Sequence, residues 1–139
     1  MKVVLKRLNQ ACHLEGRNEH GAVIHVDGAP EIGGQGLGFR PMQLMLAGIG
    51  SCSSMDIISI LQKQKQPIAG LEVEVDGERE KDKVPSLFRT IHVHFKLYGS
   101  LDETRVKRAV DLSMQTYCSV ARILEKTADI TYSFQILEK

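Results

Sequence analysis

Tryptophan is absent and aromatic residues are only 5% of the 139-residue sequence, too few for a platform that stacks successive bases. Eighteen Lys and Arg stand against 17 Asp and Glu, leaving a net charge of +1 and no basic run. Neither nucleic acid nor an anionic membrane is expected as a partner, because both need concentrated positive charge. Cysteine is scarce and odd in number, three in all, so a framework of structural disulfides is not expected. Inert core thiols, a metal site and redox chemistry remain open. A long uninterrupted hydrophobic run is also lacking. The most apolar stretch, Met42 to Leu61, holds Gln43, Asp56 and four serines. At a bilayer centre Asp56 alone would cost about 3 kcal/mol, so the stretch reads as a core helix. The short apolar run Val3 to Leu5, flanked by Lys2, Lys6 and Arg7, is followed by no secretory pattern, and a cytoplasmic location is expected. No repeat or linker is visible, so residues 1–139 are expected to form a single domain.

What is present is a sequence of clear patterns. Residues 2–8, about 10–16 and 22–27 read as strands, the last two joined by a turn through Asn18 and Gly21. Residues 28–38 hold five glycines and Pro30, which predicts an irregular loop. Pro41 suits a first helical position, and the helix is expected to run from about Pro41 to Lys65, ending before Pro67. Asp56 is the only charge between Met42 and Leu61, so nearly every face of this helix should be covered by protein. Leu71, Val73 and Val75 alternate with Glu72, Glu74 and Asp76, and Ile91, Val93, Phe95 and Leu97 with His92, His94 and Lys96. Both predict strands of an antiparallel sheet with one solvated face. Ser100 and Glu103 match a capping box. Val106, Ala109, Val110, Ser113 and Met114 then share one helical stripe. A break is expected near Tyr117 and Cys118, with Ser119 capping a short helix, and Ile130 to Ile136 alternate as a last strand. The order βββ-α-ββ-αα-β is that of an α+β fold.

Two cysteines stand where chemistry is conceivable. Cys52 lies mid-helix among Gly48, Gly50, Ser51, Ser53 and Ser54, a patch of small residues. Cys118 lies at the break between two helices, where a fresh helix N-terminus would lower a thiol's pKa. They are either a dithiol pair or two buried free cysteines, a common fate of this residue; spacing alone does not resemble a Cys-x-x-Cys motif.

The run from Arg40 through Pro41, Leu44 and the small-residue patch to Cys52 resembles the helix-opening motif of the OsmC/Ohr family, in which Pro-Glu-x-Leu precedes such a patch and a cysteine. Tyr117-Cys118-Ser119-Val120 is similar to the second cysteine motif of that family. Gly77 to Arg79 and Pro85 resemble its middle segment, and the element order is similar throughout. The resemblance implies an intertwined homodimer with long central helices and sites at the subunit interface. It also implies thiol-dependent reduction of organic hydroperoxides, with Cys52 peroxidatic, Cys118 resolving and a dithiol reductant as second partner. No metal and no other cofactor is implied. Two features depart from the family pattern. Met42 stands where the peroxidases carry a Glu that holds an activating Arg, and Arg17 is the nearest match to that Arg. Asp56, one turn beyond Cys52, could repel a thiolate or orient an arginine.

Other constellations read more simply. His92 and His94 have metal-compatible spacing but no evident third ligand, and a polar strand face explains them. Cys12 with His13 has an equally bland reading, in a predicted strand. The glycines of 28–38 lack a strand–GxGxxG–helix setting, and Arg79 among its charged neighbours reads as a solvated turn. Alternatives to the enzyme are a small-ligand-binding protein using the same interface cavity, and a dimeric stress protein without a small-molecule site.

Overall fold

The computed structural model describes residues 1–138. Its elements are β1 (Val3–Arg7), β2 (Leu14–Asn18), β3 (Val23–Val26), α1 (Pro41–Lys63), β4 (Gly70–Arg79), β5 (Phe88–Tyr98), α2 (Glu103–Leu112), α3 (Ser119–Leu124) and β6 (Asp129–Leu137). This is the expected α+β order. The chain gathers into two compact units, Met1–Met45 and the part from Leu46 onward, and the boundary falls within α1.

The first unit is an antiparallel meander, β1-β2-β3. The Asn18 side-chain oxygen shapes its second turn by accepting from the amides of His20 and Ala22, both at 3.0 Å. β2 starts at Leu14, not near residue 10 as the residue pattern suggests. The Asn9 side chain accepts from the amides of Ala11 (3.0 Å) and His13 (3.2 Å), and this local bonding displaces the strand ladder. Cys12 therefore lies in a bend rather than a strand. Beyond β3, Asp27 is only 2% exposed and organises the glycine loop. Its carboxylate accepts from the amides of Gly28 (2.8 Å), Gln35 (3.0 Å) and Leu37 (3.2 Å). Those bonds, Gln35's foremost, hold it well below the usual carboxylate range. The loop folds so tightly that a Cβ at Gly34 would lie 1.7 Å from the Gly28 carbonyl oxygen, so the backbone approach itself requires glycine.

α1 opens where Gln43 reaches back, its Oε1 accepting from the Arg40 amide at 3.0 Å, one half of a capping box. Pro41 at the first helical position sacrifices no intrahelical bond. In the second unit, Ile49, Ile57 and Leu61 of α1 are fully buried with Ile91, Val93, Phe95 and Leu97 of β5. Gly50 lets the helix meet the sheet closely, since a Cβ there would lie 3.0 Å from Val75 Cγ2. On the other face of β5, Lys96 pairs with Glu72 (3.3 Å) and Glu74. The sheet order is β4-β5-β6. β4 and β5 are antiparallel, but β6 runs parallel to β5, pairing Thr90–Tyr98 with Asp129–Leu137. The antiparallel pairing expected of β4 and β5 is thus found, and the last strand, for which the residues predict no direction, joins as a parallel neighbour. α2 and α3 form a crossover that returns the chain to the end where β5 began, and such a return gives a parallel neighbour.

α2 also starts later than the capping box implies. Asp102 is the cap, its side chain accepting from the Arg105 amide at 2.9 Å. Arg105 stands where a box would need Glu or Gln, and the Asp102 amide instead donates to Gln66 Oε1 at 2.8 Å.

Candidate functional site

Cys52 is carried by the middle of α1 and is half-buried. The serines around it are turned to their own helix: Ser51 donates to the Ala47 carbonyl (2.7 Å), Ser53 to Ile49 (2.7 Å) and Ser54 to Gly50 (2.6 Å). Such back-bonding occupies their protons.

Cys118 arrives by a less regular route. α2 does not stop but widens into a π turn, Ser113–Tyr117, which the Cys118 amide closes by donating to the Ser113 carbonyl at 2.8 Å. Cys118 then turns extended, with φ −67° and ψ 104°, and its sulfur accepts from the Ala121 amide at 3.4 Å. The break falls where the residues predict it, but Cys118 rather than Ser119 caps α3. Its side chain is fully buried. Both cysteines are free thiols, and the Cys118 thiol donates to the Ile49 carbonyl at 4.0 Å, one helical turn before Cys52 on α1. The expectation of a lowered Cys118 pKa is corrected. Burial pushes its thiol up to about 11; the Ala121 amide pulls the other way and loses, while Cys52 and Asp56 add to the rise. A six-residue helix end offsets little of the cost of burying a thiolate.

Asp56 is held by the Ser113 hydroxyl, which donates to Oδ2 at 3.0 Å and also lies 3.3 Å from the Ser53 carbonyl. Ser113 thus ties the π turn to α1 beside both cysteines. The helical stripe disclosed Ser113 only as one buried position among five. Arg122, which donates to the carbonyls of Met114 (2.6 Å) and Gln115, left no sequence signal. Arg17 belongs to the first unit, where it pairs with Glu15 at 2.6 Å and is 56% exposed. Met42 occupies the first turn of α1.

The remaining candidates have satisfied partners. Cys12 donates to Asp27 Oδ1 at 3.2 Å. His92 contacts Thr131 Oγ1 (2.7 Å) and Ser133 Oγ (2.9 Å), and His94 contacts Ser133 Oγ (2.7 Å). These rings sit in a hydroxyl ladder between β5 and β6. Among the described residues, no group of three or more His, Cys, Asp or Glu side chains is gathered as a metal ion would require.

The architecture, a long helix and a helix junction packed on a mixed three-stranded sheet with free cysteines on both, defines the class as an α+β fold. The family model described as OsmC-like protein matches residues 34–133, and the chain belongs to that family. It is 44% identical over 98 residues to Protein YhfA of Escherichia coli K12, covering 70% of this chain and 72% of that protein. The crystal structure of a protein from Aquifex aeolicus VF5 is 27% identical and superposes with a TM-score of 0.85 over 99% of this chain and 96% of that one. An organic hydroperoxide resistance protein OsmC from Legionella pneumophila is 17% identical, with a TM-score of 0.72 over 97% of each chain, a likeness of fold.

Proposed function

We propose that the chain is a thiol peroxidase of organic hydroperoxides, working as a homodimer in the cytoplasm with Cys52 and Cys118 as its redox pair. The observation that carries this reading is that the Cys118 junction packs on α1 on either side of the half-buried Cys52. The buried Cys118 thiol donates to the Ile49 carbonyl at 4.0 Å, and the Ser113 hydroxyl lies 3.3 Å from the Ser53 carbonyl. The Cys52 thiolate attacks the outer oxygen of ROOH; the O–O bond breaks, Cys52 becomes a sulfenic acid, and RO⁻ takes a proton to leave as ROH. The Cys118 thiol then attacks the Cys52 sulfur, the S–S bond forms, the S–O bond breaks, and hydroxide leaves as water with the Cys118 proton. A dithiol reductant returns both cysteines to thiols by exchange. Exposed Met55 on α1 and Tyr117 beside Cys118 suit an apolar R group. Arg17 is the candidate for activating Cys52, supplied across the dimer.

The test is a pair of variants. Cys52→Ser should leave organic hydroperoxide untouched, because no nucleophile remains. Cys118→Ser should react once and stop at a sulfenic acid that dimedone traps on Cys52. Equal loss of the first step in both variants would count against these roles. Met42, in the place of the family's Glu, favours a second reading, a non-catalytic protein that binds a small apolar ligand at the same thiol-lined site. It gains ground if wild type consumes no hydroperoxide.

A further inference from the structure

The π turn before Cys118 poses a problem that the chain solves in an informative way. A helical segment that ends at Tyr117 leaves its last carbonyls without intrahelical amides. Two of them, on Met114 and Gln115, are taken by one guanidinium. Arg122 reaches back from α3, its Nη2 donating to the Met114 oxygen at 2.6 Å and its Nη1 to that of Gln115. Its Nε lies 3.1 Å from Glu125 Oε1. The side chain is 34% exposed, and of the two carbonyl bonds the one to Met114 is partly buried while the one to Gln115 is exposed. Arg122 and its two acceptors bracket Cys118 in sequence, and the bracket spans the one residue that turns extended between two helical segments. On the far side of the turn Ser113 is fixed by Asp56. The cysteine is therefore held from both ends, by a hydroxyl–carboxylate tie before the turn and a guanidinium clamp across it.

We propose that Arg122 is a positioning residue for the resolving step: by clamping the Met114 and Gln115 carbonyls it keeps the Cys118 sulfur beside Cys52. The inference rests on the dithiol reading above and adds to it a residue that touches neither sulfur. Closure of the disulfide is an intramolecular reaction whose rate follows how often the two sulfurs occupy attacking geometry. Attack of hydroperoxide on Cys52 needs no such alignment. Loosening the clamp should therefore slow the second step and spare the first.

The experiment uses the full-length chain with Arg122→Gln, Arg122→Lys and Glu125→Gln, each checked for thermal unfolding. One equivalent of cumene hydroperoxide is added, and loss of the Cys52 thiol and formation of the 52–118 disulfide are followed separately by quench and mass spectrometry. In Arg122→Gln, thiol loss should stay within about twofold of wild type while disulfide closure slows about tenfold, the size expected when about 1.4 kcal/mol of orientation is lost. Dimedone adduct at Cys52 should rise to match. Arg122→Lys, which keeps a cationic donor, should restore part of the closure rate. Glu125→Gln, which leaves both carbonyl bonds, should behave as wild type. Closure at the wild-type rate in a folded Arg122→Gln overturns the proposal. Diamide oxidation keeps the test independent of peroxide chemistry, because it converts two thiols to a disulfide and is itself reduced to the hydrazine. If wild type ignores cumene hydroperoxide, the peroxidase reading fails, yet slower diamide-driven closure in Arg122→Gln still supports the clamp and equal closure still overturns it. Should Arg122→Gln fail to fold, closure at the wild-type rate in Glu125→Gln together with slower closure in Arg122→Lys supports the clamp; equal rates in all three overturn it.

Discussion

At the scale of single residues, the two cysteines are chemically unequal before any oxidant arrives. Cys118 is buried and its thiol pushed up to about 11, whereas Cys52 reaches the surface. A thiol whose pKa is raised by folding stabilises the fold only while it stays protonated. Its contribution is complete below the unfolded value of about 8.5 and is lost as pH rises through about 11. Wild type should thus lose stability across this window relative to Cys118→Ala, by at most about 3 kcal/mol. Denaturant melts of the two proteins between pH 8 and 11 check it; parallel curves would mean that burial does not set this thiol's ionisation. Cys12 stands apart, its sulfur bonded to the Asp27 carboxylate. Cys12→Ser keeps a donor there, so hydroperoxide consumption should remain within about twofold of wild type, measured as thiol loss per added equivalent.

At the scale of elements, glycine positions make sharper predictions than the apolar residues around them. A Cβ at Gly48 would meet Val120 Cγ1 at 3.6 Å, ordinary contact, whereas at Gly77 it would lie 2.6 Å from Phe88 Cε1 and 2.9 Å from Leu46 Cδ2. Gly48→Ala should raise stability by about 0.5–1 kcal/mol through helix propensity. Gly77→Ala should lower it by about 1–3 kcal/mol through overpacking. Thermal unfolding of both variants would reverse this assignment if Gly48→Ala were the less stable. The same scale explains what was legible in the sequence. Alternation in 71–76 and 91–97 and the apolar run after Pro41 survive intact because one-sided burial writes itself into residue order. Parallel pairing of β6 was not legible, since Ile130 and Tyr132 alternate identically whichever way the strand runs. The caps at Asp102 and Cys118 were misplaced by one or two residues, because Ser100 and Ser119 are the better-known cap types and tertiary bonds chose otherwise. For the candidate site, Cys52 and Cys118 stand out in the sequence as possible chemistry, but the Ser113 tie and the Arg122 clamp depend on a π turn that no local pattern announces.

At the scale of the whole molecule, α1 is long and apolar enough to cross a bilayer by length and composition, yet only 28% of its most apolar stretch is buried within the chain. Met55 is 68% exposed, and Val3, Val4 and Leu5 of β1 are each more than half exposed. Uncovered apolar surface of this kind is what the proposed homodimer would cover. Sedimentation should give a dimer at low micromolar concentration, as interfaces above about 2,000 Å² do. Leu5→Glu should weaken it, although a lone exposed leucine in a monomer could be replaced within about 0.5 kcal/mol. A well-folded monomer in wild type would remove this reading.

The central claim is the pairing of the two thiols, and peptide mapping after one equivalent of organic hydroperoxide tests it most directly. The account predicts a disulfide between Cys52 and Cys118, loss of two free thiols with Cys12 still reduced, and a higher melting temperature. The closed loop stabilises by about 4 kcal/mol in the chain-entropy model. A Cys52 that remains a free thiol, with no 52–118 linkage, would contradict it.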